Sequence, residues 1–143
     1  MSDADLISLY SGRILALAVD IPYVGRLTAP HGTARRRSPL CGSTVTADVV
    51  LTDGRVTAFA QDVKACALGQ ASASILGGAV LGRTRMELET ARDALRAMLQ
   101  GGPVPAPPFA EYEVLIPARE YKNRHASIML PLEAVVEAMI AAE

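Results

Sequence analysis

Three side chains of this chain could together hold a metal ion: Cys41, Cys66 and His125. Cys41 follows a proline-bearing loop, Cys66 stands where a helix is predicted to begin, and His125 precedes the last predicted helix. Unpaired N–H groups at a helix N-terminus favour the thiolate form of a cysteine placed there. Thiolates bind iron–sulfur clusters, and thiolates and neutral imidazoles bind zinc. Three such ligands would leave one position open for a substrate, a water or a partner's ligand.

Spacing alone leaves other interpretations open. The two cysteines form no C-x-x-C motif, and a free cysteine is often a small buried apolar residue. His31 could be a fourth ligand if its Pro/Gly-rich loop folds inward, or it could be an exposed loop histidine. Asp62 could supply a carboxylate, or it could be an exposed residue at a sheet edge. The sequence contains no glycine-rich phosphate loop with a following lysine.

The first part of the chain is predicted to be one helix followed by a loop. Apolar residues at helical spacing predict a helix that ends before Pro22, with Ser2 and Asp3 as candidate caps: Leu6, Tyr10, Ile14 and Leu17. Residues 20–40 are rich in glycine and proline, which is typical of an irregular loop. The run Arg35 to Arg37 within it is predicted to be a solvated stretch, with docking to an acidic partner surface as the alternative.

The middle of the chain is predicted to be a β-hairpin that leads into a helix. Apolar and polar residues alternate from 43 to 63, and Asp53-Gly54 is a strong tight-turn signal. The small residues of 68–81 favour a helix, in which Gly77 and Gly78 indicate a close-packing site. Cys66 is therefore expected at a strand-to-helix junction.

The last part of the chain is predicted to be helical on both sides of a connector. Thr84 with Glu87 forms a capping-box pattern that opens an amphipathic helix, and residues 101–108 read as a semi-rigid surface connector. A shorter helix is expected over 109–121 with Leu115 buried, and a last helix over 128–142 with Pro131 in its first turn. The expected fold class is α+β, with a small antiparallel sheet, hairpin about 43–63, covered by helices.

Composition places limits on the kind of protein. A length of 143 residues with 50% hydrophobic content suits one domain over residues 1–143. With 14 basic and 15 acidic side chains, the overall charge suggests no nucleic-acid or membrane partner. The apolar stretch 14–19 is too short to span a membrane, and acidic rather than basic residues precede it. These features predict a cytoplasmic protein with reduced cysteines, and a monomer or weak homo-oligomer.

Several motifs, in order, resemble the NifU/IscU/SufU family of iron–sulfur cluster scaffolds over roughly residues 6–140. Residues 38–43, SPLCGS, are similar to its N-P-x-C-G-D entry, and residues 66–74, CALGQASAS, to its second cysteine and the small, serine-rich helix that follows. Residues 82–84, GRT, are similar to its G-K-S/T helix start, and 124–127, RHAS, to the region of its third cysteine. The resemblance implies a SufE/NifU-like scaffold fold.

The chain departs from the family pattern at two ligand positions. Ser43 replaces the aspartate of C-G-D, and the third cysteine is missing. In the IscU alignment His125 matches the family histidine and Ala126 replaces the cysteine, whereas in the SufU alignment His125 falls on the cysteine itself. The sequence does not choose between the two alignments. The L-P-P-V-K chaperone motif of the IscU branch is also missing from the sequence.

The resemblance implies a scaffold or carrier rather than an enzyme. A [2Fe-2S]-type cluster or zinc would be held by Cys41, Cys66 and His125, with a cysteine desulfurase and recipient apo-proteins as partners. The alternative is a degenerate paralogue that acts as a zinc-binding or metal-free interaction module. An enzyme with a Cys–His nucleophile would need His125 beside a cysteine and a third orienting group, which the sequence does not indicate.

Overall fold

The computed structural model of the protein describes residues 10–39 and 42–143. Cys41 and the expected caps Ser2 and Asp3 lie outside the described residues, as does Leu6. Along the described chain the elements are α1 (Gly12–Ala18), β1 (Gly32–Arg37), β2 (Thr44–Thr52), β3 (Arg55–Lys64), α2 (Ala67–Ala79), α3 (Arg85–Leu99), a 3₁₀ helix (Ala110–Glu120) and α4 (Lys122–Ala142). The predicted α+β class is confirmed.

The sheet is antiparallel in the order β1-β2-β3. The predicted hairpin is β2 and β3, joined where Asp53 (φ 52°) and Gly54 (φ 75°) both adopt the left-handed conformation. Two such residues give a turn whose twist matches that of the strands it joins. At the opposite end of the sheet, Thr44 of β2 pairs with Arg37 of β1 and with Lys64 of β3. This end leads directly to Cys66.

The prediction that the arginine run lies in a loop was wrong, because Arg35 to Arg37 form the end of strand β1. The side chains alternate across the sheet. Arg36 lies on the helix side, where its guanidinium bonds to Glu137 of α4 at 2.9 Å, and its two neighbours are exposed. An edge strand with one solvent-exposed face tolerates such charges. The glycines and prolines around the run made the strand look like part of a loop in the sequence.

Helix α4 lies across the inner face of the sheet and is central to the core. It contacts β1 and β2 on one side and α2 and α3 on the other. The inner face of β2 presents Val45, Ala47 and Val49, all at most 1% exposed. Among the described residues α4 alone is long and apolar enough to cross a membrane, but most of its apolar window is buried inside the protein. Its composition matches that of a core helix.

The predicted start of the last helix was also wrong. Helix α4 begins at Lys122, so Pro131 lies in its interior and His125 lies within its first turns. Proline cannot donate the helical hydrogen bond to the carbonyl of Ser127, four residues earlier. Burial of the helix on two sides outweighs this loss, since Pro131 and both of its neighbours are buried. Proline prefers the first turn of a helix, but in this helix the packing against the sheet and the other helices outweighs that local preference.

The prediction that one helix contains Tyr10, Ile14 and Leu17 was wrong at its start: Tyr10 precedes α1, and Ser11 caps the helix by accepting the Ile14 N–H with its side-chain oxygen at 3.4 Å. The remaining predicted elements are confirmed, with one change of helix type. Thr84 and Glu87 form the expected reciprocal capping box of α3, and residues 102–106 form neither helix nor strand. The segment after the connector is a 3₁₀ helix with Leu115 fully buried. The loop before β1 is held to the outer face of the sheet by Asp48, whose carboxylate accepts hydrogen bonds from Arg26, Thr33 and the Leu27 N–H.

Candidate functional site

Cys66 lies at the N-terminus of α2, as the sequence predicted. Strand β3 ends at Lys64 and the helix begins at Ala67, so Cys66 is the residue at which the backbone passes from extended to helical. Its side chain is half-buried and packs against the edge of the core. The first N–H groups of a helix have no partner within the helix, so they are free to interact with a group at its N-terminus.

The surroundings of Cys66 favour its thiolate. Partial burial raises the pKa of the thiol, but hydrogen bonds from Ser127, from the Gly69 and Leu68 N–H groups and from the Arg124 side chain outweigh it. The net effect is a pKa below the ordinary value of a cysteine. A nucleophilic or metal-binding cysteine requires the deprotonated sulfur. The surroundings of Cys66 therefore favour the form of the sulfur that such chemistry requires.

Ser127 of α4 connects Cys66 to Ser43. The Ser127 hydroxyl lies 3.5 Å from the Cys66 sulfur and donates a hydrogen bond to the Ser43 oxygen at 3.1 Å. Ser127 is fully buried and Ser43 is 5% exposed. A hydroxyl has one proton, so it can donate to Ser43 or to the Cys66 sulfur but not to both at once. The state of the thiol is thus linked to the hydrogen bonding of Ser43.

Gly69 allows the N-terminal turns of α2 and α4 to approach closely. A Cβ at this position would lie 2.6 Å from the Ser127 oxygen and 2.8 Å from the Ala65 Cβ, closer than ordinary van der Waals contact. No larger residue fits without moving Ser127. The small residue is what lets Ser127 reach Cys66.

His125 lies near this cluster in sequence but its ring nitrogen has another partner. The Nε2 atom is 2.9 Å from the Ala118 carbonyl, in the last turns of the 3₁₀ helix. His125 and Ser127 are two positions apart on α4, and two helical steps rotate a side chain by about 200°. The bond between His125 and Ala118 would have to break before Nε2 could bind a metal beside Cys66. The assignment of His125 as a ligand stays a prediction.

The other candidate residues have different outcomes. Cys41 lies outside the described residues, so its role also stays a prediction. His31 is exposed, and its Nδ1 accepts the Leu51 N–H at 3.1 Å near the hairpin-turn end of the sheet. Strand geometry puts this end roughly 20 Å from the row that contains Lys64, so His31 is not a fourth ligand. Asp62 lies on the outer face of the sheet, opposite the face on which Ser43 meets Ser127.

Two site residues, Arg124 and Ser127, were not singled out as candidate ligands or partners from the sequence. Both interact with Cys66. Their spacing of three positions places them on the same side of a helix. That signal becomes visible only if α4 starts at Lys122, whereas the sequence prediction started the helix at residue 128.

The described residues alone do not form a complete metal site. No group of three or more His, Cys, Asp or Glu side chains within residues 10–39 and 42–143 is arranged to hold a metal ion. The site instead has one activated thiol with two hydroxyls and a guanidinium beside it. Neutral hydroxyls are weak ligands for soft metals compared with thiolates. Any metal bound here needs at least one further ligand.

Known structures share this fold. A nitrogen-fixing NifU-like protein (N-terminal) from Brucella abortus is 44% identical, with 96% of each chain covered and a TM-score of 0.93. An iron–sulfur cluster assembly scaffold for the SUF system from Fervidobacterium islandicum is 18% identical, covers 93% of this chain and 98% of its own, and has a TM-score of 0.82. A hypothetical protein at 23% identity covers 94% and 98%, with a TM-score of 0.83. Protein-family models and curated proteins gave no match.

Proposed function

The chain belongs to the NifU/IscU/SufU-type family of iron–sulfur cluster assembly scaffolds, and from this premise we propose that it carries a labile iron–sulfur cluster. The cluster is its cargo, held by Cys41, Cys66 and His125. A cysteine desulfurase supplies the sulfur, and the finished cluster passes to recipient apo-proteins. In this role the protein binds and transfers but does not catalyse a reaction on a small-molecule substrate.

The state of Cys66 is the observation that carries this proposal. Its thiol is half-buried at a helix N-terminus, and its pKa is lowered by hydrogen bonds from side chains and backbone N–H groups. A cysteine that served only to fill the core would gain nothing from these donors. The half-exposed position leaves room for a partner to approach the sulfur.

Chain connectivity supports Cys41 as the second thiolate. One residue separates Cys41 from Ser43, so the covalent chain limits the separation of their Cα atoms to about 7.6 Å. Ser43 is itself linked through Ser127 to Cys66. This covalent limit supports the proposal that the two cysteines share one cargo.

A reduced ligand set explains why the cargo is labile. Ser43 takes the place of the family's aspartate, and Ser127 lies where a further ligand could reach the metal beside Cys66. Without that carboxylate and without the family's third cysteine, the cargo has fewer strong bonds than two thiolates, a carboxylate and a third thiolate would supply. Fewer bonds favour release to a recipient.

The same loss of the aspartate and the third cysteine favours a second candidate function. A paralogue that has lost two ligands could retain the fold as an interaction or regulatory module that binds zinc or no metal. This module would use the surface of the domain rather than the thiol pair. It predicts that iron and sulfide leave the protein colourless.

Anaerobic reconstitution separates the two functions. The purified chain is incubated with iron and sulfide, and visible absorbance and bound iron are measured. The scaffold predicts absorbance that is lost in Cys41→Ala and Cys66→Ala while both variants keep the thermal transition of the parent. Zinc alone or no metal in the parent protein would support the module.

His125 has a matched control in His31, the other histidine of the chain. His125→Ala is expected to lower the bound iron and to speed its loss to a chelator, whereas His31→Ala leaves both unchanged because His31 lies at the far end of the sheet. Equal behaviour of the two variants would remove His125 from the ligand set. Ser43→Asp is expected to slow iron loss, because it restores a carboxylate at the site.

A further inference from the structure

Strand β1 is an edge strand of the sheet, and its outer side pairs with no strand in the described part of the chain. It pairs with β2 on one side and is covered on its inner face by α4, and no other described element makes more than marginal contact with it. Alternate backbone groups of an edge strand point away from its neighbour and can pair with another chain. The opposite edge of the sheet is different. Residues 23–25 and 82–84 bond to the backbone of β3 near its two ends.

The outer face beside the open edge is positively charged, with one acidic residue, Asp62, in the row of Arg35 and two strands away from it. Arg35 and Arg37 are exposed on the outer face, and neither forms an ion pair with an acidic side chain in the described part of the chain. The charge continues across the row that Arg37 shares with Thr44 and Lys64, and Lys64 precedes Cys66 by two residues. The chain has 14 basic and 15 acidic side chains, but three of the basic ones, Arg35, Arg37 and Lys64, lie at the end of the sheet that joins β1 to Cys66.

We propose that the open edge of β1 binds an extended acidic segment of a partner protein, which adds to the sheet as a fourth strand. Backbone hydrogen bonds to the unpaired groups of β1 would hold the segment. Acidic residues at every second position would face Arg35 and Arg37, because side chains of paired strands lie opposite each other on each face. The intervening residues are small, since they lie beside α4.

The charge selects against a second copy of the chain as the occupant. Pairing two β1 strands in a register that sets Arg35 opposite Arg35 or Arg37 would place arginines of one copy against arginines of the other, and like charges facing each other across a strand pair are destabilising. An acidic strand meets attraction at the same positions. The arginines therefore exclude one partner and favour another with the same side chains.

The position of the edge connects it to the cargo site. Strand β1 leads into residues 38–43, and the Ser38 N–H bonds to the Ser43 carbonyl at 2.8 Å. A strand bound along β1 would end beside the segment that contains Ser43. If the chain is a cluster scaffold, as proposed above, the acidic segment belongs to the protein that delivers sulfur or receives the cluster.

A synthetic peptide tests the proposal directly. The probe is a fluorescent peptide of six residues, the length of β1, that alternates glutamate with threonine. Binding is measured by fluorescence anisotropy with metal-free protein. We expect saturable binding, weakened by salt, and none with the peptide that has lysine at each glutamate position. Methylation of the peptide's backbone nitrogens that face β1 should abolish binding, because it removes the strand hydrogen bonds.

Charge-reversal variants complete the test. Arg35→Glu with Arg37→Glu should weaken binding about tenfold or more, since each reversal turns a cross-strand attraction into a repulsion. The control is Arg13→Glu, an exposed residue of α1 on another part of the molecule. The doubly reversed variant should instead bind the lysine peptide, provided that its thermal transition matches that of the parent.

Three results would overturn the proposal. The methylated peptide could bind as well as the parent peptide, which would make the contact purely electrostatic. Arg13→Glu could weaken binding as much as the β1 variants do. The parent protein could form a dimer that the β1 variants do not form, which would mean that the edge binds a second copy of the chain. Because the assay contains no metal, its failure would leave the cluster proposal untouched.

Discussion

Replacement of Gly69 by alanine should destabilise the protein and disturb Cys66 at the same time. The added Cβ would lie 2.6 Å from the Ser127 oxygen and 2.8 Å from the Ala65 Cβ, distances that require a neighbour to move. Overpacking of this kind costs about 1–3 kcal/mol. The alanine also gains up to about 1 kcal/mol of helix propensity, which partly offsets the cost.

Gly78→Ala is the matched control because it makes the same chemical change in the same helix. No atom outside the immediate backbone lies within 4 Å of a Cβ at Gly78. This variant should keep the gain, about 0.4–1 kcal/mol, that a compatible glycine-to-alanine change provides. The Gly69 variant is therefore expected to be less stable than the Gly78 variant by about 1–3 kcal/mol.

Denaturation and thiol reactivity measure the two effects. Thermal unfolding under reducing conditions should separate the variants by roughly 3–5 °C for each kcal/mol in a chain of this size. In a Cys41→Ala background, alkylation reports on Cys66 alone. It should slow at neutral pH in the Gly69 variant, because displacement of Ser127 removes a hydrogen bond that lowers the Cys66 pKa. Equal stability of the two variants would refute the proposed contact with Ser127.

Three further predictions concern other contacts. Arg124→Gln should raise the pKa of Cys66, so the midpoint of its alkylation profile, measured in the Cys41→Ala background, moves to higher pH, and an unchanged midpoint would remove Arg124 from the site. Asp48→Asn should lower the free energy of unfolding by about 1–3 kcal/mol at neutral pH. Burial raises the pKa of Asp48, but its hydrogen bonds lower it below the value in the unfolded chain. The difference in free energy of unfolding between the variant and the parent protein should therefore shrink as the pH falls through the folded-state pKa. Denaturation at several pH values checks this, and a difference that does not change with pH would contradict it. Ser127→Cys should slow the loss of reconstituted iron to a chelator, because it places a thiolate beside Cys66, and faster loss would show that this position faces no metal.

Local chemistry predicted much of the fold. The turn at Asp53-Gly54 and the capping box of Thr84 are interactions between residues close in sequence, so the sequence displays both partners together. The place of Cys66 at a strand-to-helix junction followed in the same way from the change in periodicity around it. Only the type of the short helix near Leu115 was left unspecified by the pattern.

Contacts between distant segments decided the features that the sequence misrepresented. The arginine run becomes a strand because β2 offers a pairing edge and α4 supplies Glu137 as a partner for Arg36. Helix α4 continues through Pro131 because the sheet and the other helices bury it. Each outcome depends on a segment far along the chain, which a local pattern does not contain.

The two glycines of α2 show the same limit at one position. The sequence predicted that Gly77 and Gly78 form a close-packing site, but only Gly77 does, with Pro22 and the Gln61 amide 3.1 Å from its Cβ position. Adjacent helical residues point in directions about 100° apart, so one faces the core and the other faces open space. The direction of the core is a tertiary property.

The sequence by itself determined the kinds of ligand available and the strand-to-helix junction that carries Cys66. The tertiary structure decided which groups meet. It placed Ser127 and Arg124 beside the Cys66 sulfur. The physical reason is the rotation of α4, which its burial against the sheet and α2 sets. That rotation directs positions 124 and 127 toward Cys66, and the ring of His125 bonds to the Ala118 carbonyl instead.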